Sequence, residues 1–137
     1  MERVVLDPGV LVSSLITSAG APATLWRAVL DERLEIIICP HLLAELAGVL
    51  ERPRFRRYFS VGESRAFVAE VARRGHVLPD PVDPPKVSRD PDDDYLVALA
   101  RVAEVRALVS GDRDLTEMVD PDPPVLTPAQ AVDQLLR

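Results

Sequence analysis

The sequence predicts an α/β fold, with a central, mostly parallel sheet flanked by helices in three layers. Three observations predict it. Short β-branched runs alternate with amphipathic helical stretches along the chain. The runs are too far apart for hairpins, so neighbouring strands must be joined through helices packed on the sheet. The run from Glu35 to Cys39 is almost continuously apolar, as in a strand covered on both faces. A length of 137 residues suits one domain, 1–137, with one hydrophobic core.

Arg3-Val4-Val5-Leu6 is a strand, and Asp7-Pro8-Gly9 stops it. Pro8 favours an extended Asp7, so Asp7 stands at the C-terminal end of that strand. Val10 to Ile16 forms a short helix, and Ala19-Gly20-Ala21-Pro22 breaks the chain. Ala23 to Leu30 is a helix with Leu25, Trp26, Val29 and Leu30 on one face, which makes Trp26 a core residue. The strand Glu35–Cys39 follows. Pro40 then opens a helix through Leu50 with a buried stripe of Leu42, Leu43, Leu46 and Leu50. Glu45 lies at the margin of that stripe. Arg52-Pro53 ends the helix, Arg54 to Phe59 is an aromatic and basic segment, and Glu63 to Arg74 is amphipathic and helical. Residues 79–91 are rich in Pro and Asp and form an extended surface connection. Asp90 caps a helix whose first residue is Pro91 and third is Asp93, running to about Glu104. Arg106–Ser110 is a strand, followed by Gly111-Asp112 and a short helix. Val125-Leu126 is a last short strand, and Thr127-Pro128 opens a C-terminal helix.

Composition excludes several classes. No apolar run is long enough to span a bilayer, and no segment has the layout of a signal peptide, so a cytoplasmic protein without membrane contact is expected. The single Cys39 cannot form an internal disulfide, and its apolar surroundings suit a buried structural thiol. Net charge is −6, unevenly spread. Residues 1–50 carry −3, residues 51–75 carry +4 and residues 76–137 carry −7. The basic middle can contact phosphate, whereas the acidic remainder repels a polyanion unless cations intervene.

In parallel sheets, ligands bind beyond the C-terminal strand ends. Asp7 and Asp112 both follow strands there. Asp94 lies in a helix's first turn, where polar groups can face that edge, and Glu45 can reach it from a neighbouring helix. Converging carboxylates raise one another's pKa unless cations fill the space. An oxygen-only set suits Mg²⁺ or Mn²⁺, while Cys39, His41 and His76 have no zinc-binding spacing. Such a site can hydrolyse a phosphodiester through a metal-activated water. Taken singly, each acid also has a structural reading, as a turn residue, a helix cap or a solvated side chain.

The motifs resemble those of PIN domains, in particular the VapC-like toxin ribonucleases of bacterial toxin–antitoxin systems. Val4-Val5-Leu6-Asp7 with Val10-Leu11-Val12-Ser13-Ser14-Leu15 is similar to the family's opening. Leu42-Leu43-Ala44-Glu45-Leu46 through Leu50-Glu51-Arg52-Pro53-Arg54-Phe55 resembles the second motif. Asp90-Pro91-Asp92-Asp93-Asp94-Tyr95-Leu96-Val97-Ala98-Leu99-Ala100 resembles the third, and Leu108-Val109-Ser110-Gly111-Asp112-Arg113-Asp114-Leu115 the fourth. The ordered set spans nearly the whole chain. The resemblance implies a PIN-like, Rossmann-like fold and Mg²⁺- or Mn²⁺-dependent cleavage of single-stranded RNA. It also implies an antitoxin partner and a homodimer. Asp7, Glu45, Asp94 and Asp112 match the family's acidic quartet. Asp93 is the alternative to Asp94, Asp114 an accessory ligand, and Ser110 a supporting hydroxyl.

One departure stands out. Where the family usually has Asp-Thr-Asn, this chain has Asp7-Pro8-Gly9, which removes a hydroxyl, an N–H and a side-chain amide. Groups that orient metal ligands affect activity ten- to hundredfold. The alternative function is therefore a PIN-fold binding or dimerisation module with weak or no catalysis. Phosphatases of the haloacid dehalogenase type need an acid where Gly9 stands, and receiver domains need a late-strand Lys, whereas the sole Lys is Lys86. The basic residues Arg52, Arg54, Arg56 and Arg57 are candidates for RNA contact, or else form a solvated face beside a partner-binding helix pair.

Overall fold

The computed structural model describes residues 1–84, 86 and 90–137. Five strands form one sheet: β1 (Glu2–Leu6), β2 (Leu34–Ile38), β3 (His76–Val77), β4 (Ala107–Val109) and β5 (Val125–Leu126). Their order is β3-β2-β1-β4-β5, and every pairing is parallel. Among the described residues, seven α-helices connect and cover them: α1 (Pro8–Ile16), α2 (Ala21–Leu30), α3 (Pro40–Leu50), α4 (Val61–Arg74), α5 (Asp94–Val102), α6 (Arg113–Thr116) and α7 (Pro128–Leu135).

Consecutive residues Val4, Val5 and Leu6 of β1 are all buried, as are Ile36, Ile37 and Ile38 of β2 and Ala107, Leu108 and Val109 of β4. Side chains alternate in direction along a strand, so both sheet faces are covered. The strand order supplies the two covers. From β1 the chain steps outward through β2 to β3, then crosses back to β4 and β5. Right-handed crossovers in opposite directions put their helices on opposite faces. Accordingly α5 packs on β1, β2 and β4, whereas α1 to α4 and α7 pack against one another. Trp26 meets Phe67 edge-on at 5.2 Å in that second layer, in keeping with a core role.

Most predicted elements are present, with shifted ends. The helix expected from Val10 begins at Pro8, whose missing N–H costs nothing at a first helical position. The break expected through Pro22 ends at Gly20, because Pro22 sits in the first turn of α2. Leu30 belongs to the exposed side of that helix. α4 begins two residues early, where Ser60 and Glu63 form a capping box. β3 was not expected. It is a two-residue edge strand, exposed at both positions, and has no pattern to detect. The expected extended connection at 79–91 lies partly outside the described residues; its portion from 79 to 84 contains no helix or strand. Among the described residues no single helix is long and apolar enough to cross a membrane.

Candidate active site

β1 is the strand at which the sheet order reverses, with β2 and β3 on one side and β4 and β5 on the other. The C-terminal crevice at such a reversal is where open α/β sheets bind ligands. Asp7 stands there. Its backbone N–H donates to the Val109 carbonyl at 3.0 Å, tying the end of β1 to β4. Its side chain caps α1: Oδ1 accepts from the Gly9 N–H at 3.0 Å. Oδ2 accepts from the Ser110 hydroxyl at 2.7 Å. The same Ser110 oxygen accepts the Asp112 N–H at 3.0 Å. A fully buried hydroxyl thus joins the segments that follow β1 and β4. Asp112 caps α6 through the Asp114 N–H.

This arrangement tolerates Pro8-Gly9. Pro8 occupies a position whose N–H has no helical partner, and the Gly9 backbone N–H, which most residues there would also supply, reaches Asp7. Asp7 keeps one hydrogen bond on each oxygen.

Glu45 comes from α3, which packs beside α1. The Tyr95 hydroxyl donates to Glu45 Oε2 at 2.9 Å, reaching across from α5. Burial raises the Glu45 pKa; the Tyr95 bond works against this, and the Asp7 charge adds to it. Burial also raises Asp7, opposed by its bonds from Gly9 and Ser110. Tyr95 itself is raised by burial and then by the adjoining Glu45 charge, so it remains a donor.

The third motif supplies Asp93. Asp90 caps the segment as expected, accepting from the Asp92 N–H at 3.0 Å, but Pro91–Asp93 forms a 3₁₀ turn before α5 begins at Asp94. The tighter turn leaves Asp93 facing the sheet edge, while Asp94 enters the helix and is only 3% exposed. Burial, then the charges of Asp7 and Asp112, push the Asp93 carboxyl up to about 7. Its Oδ2 is buried and has no hydrogen-bond partner among the described residues.

A cleft of about 320 Å³ is lined by Asp7, Glu45, Asp93 and Asp112, with Arg52, Arg54 and Phe55 on another side. Of the acids expected to meet, the structure gathers Asp7, Glu45 and Asp112, and puts Asp93 in the place assigned to Asp94. Asp114 is not among the lining residues. Of the four arginines, Arg52 and Arg54 line the cleft. Arg56 turns inward instead. Its guanidinium donates to the Leu50 carbonyl at the end of α3 and lies over Phe59 at 5.5 Å. Arg57 lies over Tyr58, away from the cleft.

Oxygen donors from four carboxylates, an Asp93 oxygen unpartnered among the described residues, and the raised pKa values of Asp7, Glu45 and Asp93 together fit a divalent cation. Among the described residues no three His, Cys, Asp or Glu side chains already form a ligand set, so binding would draw these carboxylates together. Cys39 is buried, and burial pushes its thiol up to about 11, as suits a structural residue.

The sequence reasoning missed Tyr95, although a hydroxyl within the apolar run Tyr95–Ala100 needs a partner when buried. It also missed a second cleft of about 620 Å³ that shares Glu45 with the first. Its lining includes His41, Asp80, Asp92 and Tyr95.

The PIN domain family model matches residues 3–114. The uncharacterized protein MJ1680 of Methanocaldococcus jannaschii is 25% identical over 118 residues, 86% of this chain and 76% of that protein. PAE2754 from Pyrobaculum aerophilum shares the fold at a TM-score of 0.67 and 15% identity, over 99% of this chain and 90% of that one. VapBC2 from Rickettsia felis, determined bound to a DNA fragment from its promoter, matches at a TM-score of 0.63 and 11% identity, over 91% of this chain and 98% of that one. The chain belongs to the PIN domain family, whose members are generally nucleases that typically use a divalent metal.

Proposed function

We propose that this chain is a metal-dependent endoribonuclease that cuts single-stranded RNA. The observation that carries the reading is the convergence of Asp7, Glu45, Asp93 and Asp112 on one cleft with Arg52 and Arg54 at its side. Asp7, Asp93 and Asp112 would hold Mg²⁺ or Mn²⁺, with Glu45 beside them. The bound cation would lower the pKa of a water and offset charge developing on the phosphate. Ser110 fixes the Asp7 carboxylate and the Asp112 backbone in one relation. Tyr95 orients Glu45 and leaves Oε1 free to take a proton from the attacking water. Arg52 and Arg54 present guanidinium forks to the substrate backbone. Likeness to VapBC2 supports the further reading of a toxin held by an antitoxin protein; a second copy of the chain as dimer mate is part of that reading on the family resemblance alone.

Purified protein with ample Mn²⁺ is expected to cut varied single-stranded RNAs. EDTA, Asp7→Asn or Asp93→Asn should each abolish cutting while the thermal transition persists. Arg52→Glu with Arg54→Glu should lower the slope of log affinity against log salt by about 1 for each arginine that pairs with a phosphate. Intact RNA beside cut single-stranded DNA would sink the substrate class, and no cutting of either would favour the binding-module alternative.

A further inference from the structure

The larger cleft lies against the acidic one, with Glu45 in the wall of both. Their chemistries differ. The acidic cleft has Arg52 and Arg54, whereas the described lining of the larger one contains no Lys or Arg. Asp80 and Asp92 line it, and carboxylates only accept hydrogen bonds when ionised. These described carboxylates favour a neutral group that carries N–H donors over a phosphate. It also has a stacking surface. His41 is exposed at the start of α3, and its ring is pinned edge-on against Tyr95, with centroids 4.2 Å apart and planes at 67°. The His41 backbone N–H donates to Asp80 Oδ1 at 2.8 Å, which ties the loop carrying Asp80 to this helix. Pro81, Pro84 and Pro91 form stiff walls. Single-stranded RNA is read by proteins that stack an unpaired base on an aromatic ring and bond its Watson–Crick edge.

We infer that this cleft is a base-reading subsite for the nucleotide beside the scissile phosphate, and that it favours guanine. The inference rests on the ribonuclease reading above. Guanine is chosen by its two adjacent donors, N1–H and the N2 amine, which match the two oxygens of a carboxylate. Uracil offers one N–H between two carbonyls. Adenine offers a single amine beside an acceptor nitrogen. Among the described residues, Asp92 is the carboxylate with no side-chain partner and so the one to make this pair, since one oxygen of Asp80 already accepts the His41 backbone N–H.

The test separates base reading from cutting. Asp7→Asn protein, which does not cut, is titrated with fluorescent RNA oligomers that carry one guanine in a uridine background. Matched oligomers carry inosine, adenine or 7-deazaguanine at that position. Guanine and 7-deazaguanine, which share a Watson–Crick edge, are expected to bind about equally, and inosine and adenine roughly tenfold more weakly, in line with the loss of a hydrogen bond. His41→Ala or Asp92→Asn, each added to Asp7→Asn, should collapse that ratio toward one. In parallel, active protein should cut next to guanine, with the guanine-to-adenine ratio falling in His41→Ala and Asp92→Asn. Base preference in binding without cutting by the active protein would refute the nuclease reading and leave the subsite standing. Cutting without base preference, or a preference unchanged in both variants, would refute the subsite and leave the nuclease.

Discussion

Asp93 and Asp94 are neighbours in sequence, yet one lines the acidic cleft and the other is sealed into α5. Their substitutions should therefore differ in kind. Asp93→Asn removes a carboxyl that burial and then its acidic neighbours already push toward neutrality, so the metal-free protein should hold or gain stability while metal-dependent cutting is lost. Asp94→Asn alters a buried polar group with partners of its own, and should cost about 1–3 kcal/mol whether or not metal is present. Chemical denaturation with and without Mn²⁺ distinguishes them. Equal stability losses in both variants would mean that the two acids do the same work. The sequence points to Asp94, the acid directly before the apolar run, because the single tight turn that brings Asp93 to the cleft leaves no local signal. Pro91 and Asp90 announce a helix start, but an α-helical and a 3₁₀ first turn share the same signal. Arg56 escaped the sequence for a related reason. Among closely spaced arginines, the one that caps the Leu50 carbonyl is set by where α3 ends and the chain doubles back.

Elements with long patterns were legible; those held by contact alone were not. β1, β2 and α3 each combine apolar character with a stop or start signal, and α7 opens with a Thr-Pro cap that also closes a capping box. The stripe of α3 puts Glu45 only at its margin, and the family resemblance is what assigns it to the site; its bond to Tyr95 joins residues 50 apart in sequence and leaves no local trace. β3 is the opposite case. Two exposed residues form a strand because the end of α4 delivers them alongside Ile37 and Ile38. Gly75 makes that delivery possible. A Cβ there would lie 2.6 Å from Ile38 Cδ1, 2.9 Å from its Cγ1 and 3.1 Å from the Val71 carbonyl oxygen. Ile38 is fully packed in the core and has little room to yield. Gly75→Ala is expected to lower stability by about 1–3 kcal/mol through overpacking. A denaturation midpoint equal to that of the parent would show that β3 can shift without cost.

Across the whole molecule, the carboxylates couple metal, protons and stability. The Asp93 carboxyl is raised to about 7 in the folded chain, and Asp7 and Glu45 are raised as well. Unfolded carboxyls titrate near 4. Between these values the folded state binds more protons than the unfolded one, so metal-free stability should fall as pH rises from about 4 to about 7. Mn²⁺ binds the deprotonated set and should reverse the trend, stabilising more at pH 7.5 than at pH 5. Melting curves at both pH values, in EDTA and in Mn²⁺, check this; a Mn²⁺ shift independent of pH would disconnect the acids from the metal. The strand order has a consequence in time as well as in space. Asp7 is made about a hundred residues before the strand that pairs with β1 on its open side, β4, with Leu6 opposite Val109. A chain still emerging from the ribosome holds Asp7, Glu45 and Asp93 without the strand and the serine that gather them. The cleft can therefore form only after β4 and Ser110 have left the ribosome.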